Sequence, residues 1–415
     1  MPTKKNYYRT TKGIVMINIR IIPSKSQAHR ALICSALSKT ECNVICQETS
    51  LDIEATRECL INIKEALKNN SGECQLPCNE SGSTLRFLLP IVLALGLKGS
   101  FLPEGRLPER PLSPLYEQLE GHGAKMSKQG TVPFVVEGQL QSGDYYLPGN
   151  VSSQFVSGLL FALPLIKGQS RIIITSQLES QAYVDMTLNT IENFGVTIRK
   201  EDNTFIIDGG QNYQGPREVN VEGDWSNGGF WLVAGALLSE GVSCSNLNIN
   251  SLQGDKGVVE ILRRFGADVE VAGDTVNVRK NQLNAIEIDA KDIPDLVPIL
   301  SVVAAVSKGT TVIKNAERLR IKESDRLKAV RETLSILGAD ITETDDGLII
   351  TGREHLGGGV VDSFSDHRIA MMSAIASLVC THKVVIKNSK AVNKSYPSFF
   401  TELQKFGENA KIERE

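Results

Sequence analysis

Five glycines recur at nearly constant spacing: Gly123, Gly195, Gly266, Gly338 and Gly407, separated by 72, 71, 72 and 69 residues. Each follows an apolar run with helical spacing and precedes a short alternating run, as in "VVEILRRFGADVEVAGDTVNV". Glycine there reads as a left-handed helix C-cap. The alternation of Ala267, Val269 and Val271 reads as a half-buried strand. One such passage is ordinary α/β chain, but five at one period require a repeated supersecondary unit. A more diverged sixth copy puts its helix at 53–67, and 415 residues divide into six units of about 69. The class is therefore α/β (α+β), most simply two domains of three units each.

The last copy runs out after one strand, in "NAKIERE", while the stretch "GIVMINIRI" (13–21) precedes the first full unit. The N-terminal stretch is expected to pair into the C-terminal half and close the pattern there. One domain then spans 21–222, and the other, discontinuous, spans 1–20 plus 223–415. A ligand is expected in the cleft between them.

Composition narrows the function. The net charge of −3 argues against general nucleic-acid binding, so any anion site has to be a local cluster of cations. The apolar runs 87–97 and 296–306 are interrupted by Pro90, Gly96 and Pro298 and fall short of the roughly 20 residues a membrane span needs. No signal-type apolar stretch follows the basic N-terminus. A cytoplasmic, monomeric protein with no membrane association is expected. Cys42/Cys46 and Cys74/Cys78 have the spacing of half a zinc site, but no histidine or tighter pair completes one. They read as buried small hydrophobes, and no metal is expected.

The chemistry is carried by cations at helix starts, where the macrodipole disfavours them. "SKSQAHRALICSAL" sets Lys25, His29 and Arg30 in the first turns of a helix. "ESGSTLRFLLPIVLAL" does the same with Arg86, and "SDHRIAMMSAIASLV" with His367 and Arg368. "RLRIKESDRLKAVRETL" brings Arg318, Arg320, Lys322 and Arg326, and "LPERPLSPLYEQL" puts Arg110 before Pro111. A single case reads as a solvated cation or a local ion pair. Five, each beside small polar residues, point to a ligand with several negative charges, phosphate and carboxylate above all. No GxxxxGK[ST] loop and no GxGxxG fingerprint is present, which disfavours a nucleotide kinase or dehydrogenase. "NVSSQF" adds Ser152, Ser153 and Gln154, neutral donors for phosphate oxygens that equally suit a helix cap before 155–165.

Nine blocks together resemble the 5-enolpyruvylshikimate-3-phosphate (EPSP) synthase family: "SKSQAHRAL", "ESGSTLR", "ERPL", "GNVSSQF", "SQAYVDMT", "IPDLVP", "RIKESDRL", "SDHRIAM" and "NKSYPSFF". They span residues 24 to 400 in the family's order. The resemblance implies the inside-out fold of six βαβαββ units in two domains. It implies transfer of the enolpyruvyl group of phosphoenolpyruvate to the 5-hydroxyl of shikimate 3-phosphate, on the way to chorismate and the aromatic amino acids, with no cofactor. By motif, Ser152, Ser153, Ser180 and Lys322 bind the substrate phosphate, and Arg30 and Tyr183 meet the shikimate ring and carboxylate. Lys25, Ser26, Gln154 and Asp295 also bind shikimate 3-phosphate. Lys25, Arg110, Arg326, Arg368 and Lys394 hold phosphoenolpyruvate, with Gln154 nearby and Gly82 and Ser83 shaping the pocket. Asp295 and Glu323 are the carboxylates for proton transfer, with Lys25 on the donor side. Arg86 and His367 stand beside these as further candidates. Without the resemblance, Asp295 reads as a helix cap and Glu323 as an intrahelical partner of Arg326.

Glu80, Phe87 and Arg318 depart from the family's usual Asn, Pro and Asn. The sister family, UDP-N-acetylglucosamine enolpyruvyl transferase, is the enzyme alternative. It normally carries a reactive cysteine in the loop that here reads "LPEGRLPERPL", without one. A non-catalytic anion-binding protein on the same fold is the other alternative, disfavoured by the presence of Lys25, Glu323 and Asp295. His29 is left without a role, as a packing or surface residue.

Overall fold

The helix Val258–Phe265 shows how one repeat is made. Val258, Val259, Ile261, Leu262 and Phe265 are buried on one face. Glu260 in the first turn and Arg263 and Arg264 in the last suit the helix dipole. Gly266 ends it in the left-handed region (φ 104°), its N–H bonding the carbonyls of Leu262 and Arg263. A Cβ there would lie 2.4 Å from the Gln282 carbonyl oxygen, so glycine is required twice over. The strands Asp268–Ala272 and Thr275–Arg279 follow as an antiparallel hairpin. The helix-ending glycines 123, 195 and 338 share the positive φ, but Gly407 (φ 59°, ψ −132°) lies at a kink between short 3₁₀ turns, so the fifth marker is not the same cap.

The protein is described here by a computed structural model covering residues 16–415. Six sheets are present among these residues. Four have four strands in one pattern: a parallel pair, then an antiparallel hairpin. One example is Glu73–Asn79, Lys98–Pro103, Phe134–Gly138 and Ala124–Met126 in spatial order. The remaining two sheets are shortened copies, one of two strands and one of three.

The chain divides into two compact units, Ser24–Val221 and Met1–Pro23 with Glu222–Glu415. A reciprocal exchange of strands joins them in sequence. Ile17–Arg20 precedes the helix Lys25–Leu37 but pairs in parallel with Val242–Ser245, Ile17 opposite Val242. Glu218–Asn220 precedes the helix Trp225–Leu237 but pairs with Asn43–Ile45, Glu218 opposite Asn43. The N-terminal strand thus completes the sheet of the fourth repeat and not of the last, whose three strands are Gly359–Asp362, Val384–Lys387 and Ile412–Arg414. The first crossing falls after Pro23, not after residue 20, because Ile21 and Ile22 are buried with the core of the 222–415 unit. Residues 13–15 of the expected N-terminal strand lie outside the described residues.

Each unit has its own apolar core: Leu88, Phe101, Phe155 and Phe161 are among the buried residues of one, and Trp231, Leu300, Met371 and Phe399 of the other. Among the described residues no helix is long and apolar enough to cross a membrane.

Candidate active site

The first helix of each repeat starts at a fixed place. These starts carry Ser24, Ser81, Ser152, Asp224, Asp295 and Asp366, with separations of 57, 71, 72, 71 and 71 residues. The short first interval reflects the missing hairpin of the two-stranded sheet. Lys25, Ser26, Gly82, Ser83, Ser153, Gln154, His367 and Arg368 lie within one turn of these positions, and Ser152 and Asp295 occupy them.

In the 24–221 unit, Ser24 caps the helix Lys25–Leu37 by accepting from Gln27 N. Lys25 Nζ donates to Asp52 Oδ2 at 2.7 Å. Arg30 is buried and donates to the Ser26 carbonyl (2.6 Å), the Tyr183 carbonyl (2.7 Å) and Thr187 Oγ1 (2.8 Å). Its guanidinium lies 5.2 Å from the centre of the Phe87 ring and 6.0 Å from that of Tyr183. Burial brings its pKa down to about 10, opposed by Tyr183 and Cys34, so it stays charged at neutral pH. These bonds use three of its five N–H groups.

Ser81 caps the helix Gly82–Ala94. A Cβ on Gly82 would lie 2.9 Å from both Arg86 Nη1 and Arg110 Nη1, so the absence of a side chain leaves room at the helix start between two guanidinium groups. Arg86 Nη1 donates to Gln154 Oε1 at 2.8 Å, and Gln154 Nε2 donates to Ser83 Oγ at 2.9 Å. Arg110 follows a 3₁₀ turn, Leu107–Glu109, and lies ahead of the helix Leu115–Gly121, so it is held by a loop and not by a first turn as expected. Ser152 caps Ser153–Ala162, which passes into a 3₁₀ turn at Leu163–Leu165. Ser180, buried and in the left-handed region (φ 52°), starts the helix Gln181–Asn193 that carries Tyr183.

In the other unit, Asp295 sits in the 3₁₀ turn Pro294–Leu296, ahead of the helix Val297–Ala305, whose N-cap position is taken by Leu296. Its Oδ1 accepts from Arg326 Nη1 at 2.7 Å and its Oδ2 from Arg368 Nη2 at 3.0 Å. Arg326, 1% exposed, also donates to Glu323 Oε2 (2.6 Å) and Asp366 Oδ2 (2.8 Å). The Glu323–Arg326 pairing at i+3 is therefore present, although Glu323 lies ahead of the helix Arg326–Ile336. Asp366 caps His367–Ala376 by accepting from Arg368 N and takes a further bond from Ser324 Oγ. His367 is buried, its Nδ1 3.7 Å from Asp366 Oδ1, and Lys394 Nζ donates to the Ser365 carbonyl at 2.6 Å. Arg320 stands apart from this group: it pairs with Asp325 and Glu343 as a partly exposed ion pair.

Burial alone would raise the Asp295 pKa, but Arg368, Lys322 and Arg326 outweigh it and hold the carboxyl well below the usual range. Lys322 is brought down to about 8, first by burial, against the pull of Asp295. Asp255, buried and bonded to Ser226 Oγ, is pushed up to about 7 by burial and then by Asp295.

Sequence reasoning passed over Asp366, Asp52, Thr187, Thr56 and Thr84. Asp366 was legible, since it is the aspartate of "SDHR" at the 71-residue spacing. The others are reached only across the fold. His29, read as packing or surface, is buried and hydrogen-bonded. Of the departures from the family pattern, Phe87 is buried beside Arg30, and Arg318 donates to the Lys291 carbonyl at 2.7 Å. The Glu80 carboxylate closes over Gly105, where a Cβ would clash with it. Burial raises the Cys74 thiol to about 11 and, against backbone hydrogen bonds, Cys78 to about 12, consistent with small core side chains. Among the described residues no cluster of three or more His, Cys, Asp or Glu could hold a metal ion.

A family profile described as EPSP synthase (3-phosphoshikimate 1-carboxyvinyltransferase) matches residues 11–403. The chain is 45% identical over 413 residues to the 3-phosphoshikimate 1-carboxyvinyltransferase of Clostridium novyi, covering 94% of each chain. It is 46% identical over 408 residues to that of Clostridium perfringens, covering 94% of this chain and 96% of the other. Among solved structures, EPSP synthase from Acinetobacter baumannii superposes with a TM-score of 0.75 at 26% identity, covering 93% of this chain and 94% of that one. The enolpyruvyl transferase NikO from Streptomyces tendae shares the fold, with a TM-score of 0.75 at 16% identity and 94% of each chain covered.

Proposed function

The chain belongs to the EPSP synthase family, and from that membership we propose that it transfers the enolpyruvyl group of phosphoenolpyruvate to the 5-hydroxyl of shikimate 3-phosphate, releasing phosphate. It does so as a cytoplasmic monomer.

The observation that carries the chemistry is the Asp295 carboxylate, ionised and bound by Arg326 and Arg368. In the free protein these arginines make Asp295 a weak base. When the donor's carboxylate and phosphate take up the same guanidinium groups, their hold on Asp295 is shared and its basicity rises. Asp295 then accepts the proton of the 5-hydroxyl as that oxygen attacks C2 of the donor. The methylene carbon of the donor gains a proton on the side of Glu323 and Lys25, giving a tetrahedral ketal that loses phosphate and a methyl proton. Lys25, Arg110, Arg326, Arg368 and Lys394 hold the donor. Gly82 and Ser83 shape its place, with Gln154 between Arg86 and Ser83. Ser26, Arg30, Ser152, Ser153, Ser180, Tyr183 and Lys322 hold shikimate 3-phosphate. Arrays of guanidinium and ammonium groups at helix starts suit two polyanionic substrates, orienting them and neutralising their mutual repulsion.

Phosphate release from phosphoenolpyruvate by the purified protein tests this. Release that requires shikimate 3-phosphate supports the reading, and release that requires UDP-N-acetylglucosamine, or no release with either, overturns it. Glu323→Gln is expected to lower kcat at least tenfold, and unchanged turnover would remove Glu323 from proton transfer.

A further inference from the structure

His29 lies between two candidate anion-binding cations, Lys25 and Arg30, yet it is buried and faces away from solvent contact (1% exposed). Its Nδ1 is 2.7 Å from Thr56 Oγ1, Thr56 Oγ1 is 2.6 Å from Thr84 Oγ1, and Thr84 Oγ1 donates to Ser81 Oγ at 2.7 Å. Thr56, Thr84 and Ser81 are all fully buried. The chain of bonds has one direction. A threonine hydroxyl has a single proton, and that of Thr84 is committed to Ser81. Thr84 must therefore accept from Thr56, and Thr56 must accept from His29. The imidazole proton is thus on Nδ1. Nε2 is left as a bare lone pair, buried without a hydrogen-bond partner. Burial, followed by Lys25 and Arg30, keeps the ring neutral by lowering its pKa well below the ordinary 6.5.

The relay joins three helix starts. His29 is in the second turn of Lys25–Leu37, Thr56 in the second turn of Leu51–Lys68, and Ser81 and Thr84 cap and open Gly82–Ala94. The first and third carry Lys25, Arg30, Gly82, Ser83 and Arg86. We infer that His29 is a positioning residue: as a neutral Nδ1–H imidazole it orders the hydroxyl relay His29–Thr56–Thr84–Ser81, which fixes the helix start bearing Lys25 and Arg30 against the one bearing Gly82 and Arg86. A neutral ring is needed there because an imidazolium would add a third, buried positive charge between two cations. The inference rests on the proposed function for what those cations bind, and on the geometry alone for the relay.

Two measurements test it. In protein labelled with ¹⁵N-histidine, long-range ¹H–¹⁵N correlations at pH 7, assigned with His29→Asn, should show Nδ1 protonated and Nε2 unprotonated. A ring protonated on Nε2, or on both nitrogens, overturns the relay. Thr56→Val keeps the side-chain shape and removes the hydroxyl. It should raise KM for shikimate 3-phosphate about tenfold while kcat stays within about threefold, the effect of losing one buried hydrogen bond that orients a binding group. His29→Asn keeps an N–H near the Nδ1 position and should stay within about threefold of wild type in both constants. A Thr56→Val protein with unchanged KM overturns the positioning role. If the wild-type protein shows no turnover with shikimate 3-phosphate, the proposed function fails, but the wild-type tautomer still decides the relay. The same tautomer measurement stands if Thr56→Val does not fold.

Discussion

Adding one methyl group at Gly82 separates stability from function in this protein. The Cβ of Gly82→Ala would stand 2.9 Å from Arg86 Nη1 and from Arg110 Nη1, and 3.3 Å from Arg110 Cζ. Ordinary contact is about 3.5 Å, so each guanidinium must retreat by about 0.6 Å. Both are ends of flexible side chains and can move without backbone cost. The move draws Arg86 off its 2.8 Å bond to Gln154, which in turn holds Ser83. The methyl group also fills the space at the helix start where the donor's anionic group is proposed to sit. Losing one hydrogen bond to a charged group there costs about 1.5–3 kcal/mol, or roughly 10- to 150-fold in KM for phosphoenolpyruvate. The fold should not suffer, because Gly82 is helical and alanine in a helix is favoured over glycine by about 0.5–1 kcal/mol. Phosphate release at saturating shikimate 3-phosphate and varied phosphoenolpyruvate, with urea unfolding alongside, reads both effects. The expected result is a large rise in KM for the donor, little change in KM for shikimate 3-phosphate, and stability equal to or above wild type. A donor KM within twofold of wild type would refute the placement of the donor between Arg86 and Arg110.

Asp366→Asn removes a buried partner of Arg326 (1% exposed) and should destabilise the protein by about 3–5 kcal/mol in urea unfolding. A loss below about 1 kcal/mol would mean that Asp295 and Glu323 suffice for Arg326. Lys322, with its pKa brought down to about 8 by burial, is charged below that pH and neutral above it, so kcat/KM for shikimate 3-phosphate should fall as pH rises through 8. Lys322→Arg should remove that limb, and its persistence would assign the limb to another group. Deleting residues 1–20 removes the strand paired with Val242–Ser245 and should lower the melting temperature of the 222–415 unit. An unchanged melting temperature would refute the structural weight given to that pairing.

The period was legible because it rests on local physics. A glycine after an amphipathic helix, followed by alternating residues, is written out in five of the six copies, and Gly266 realises it in full. The exchange of Ile17–Arg20 and Glu218–Asn220 was only half legible, because pairing across 225 and 175 residues leaves no local signal. Hence the N-terminal strand pairs into the C-terminal half as expected, but which repeat it completes there, the fourth, was not legible. For the site, cations at helix starts were conspicuous because they defy the dipole. Their partners were not, since Thr187 meets Arg30 across 157 residues and Asp295 meets Arg368 across 73. Arg320 shows the converse: it has the same residue type and motif as its neighbours, but only the fold shows it paired with Glu343 outside the cluster.

The equivalent helix starts differ between the two units in a way that bears on catalysis. In the 24–221 unit they carry Ser24, Ser81 and Ser152, each of which caps through a hydroxyl and adds no charge. Helix N-termini and nearby arginines are therefore left to act together on an anion. In the other unit the same positions carry Asp224, Asp295 and Asp366. Asp224 and Asp366 cap their helices, and Asp366 also takes Arg326. Asp295, one repeat from each, is not the N-cap of the helix that follows it, and its carboxylate accepts from Arg326 and Arg368. A carboxylate that caps is tied to backbone N–H groups that no ligand can take from it. A carboxylate bonded to guanidinium groups loses part of its stabilisation when a second anion shares them, and so becomes a stronger base on the proposed binding of the donor. Of the three equivalent aspartates, Asp295 is the one bonded to two arginines proposed to bind the donor, which is why the base is proposed there and not at its repeats.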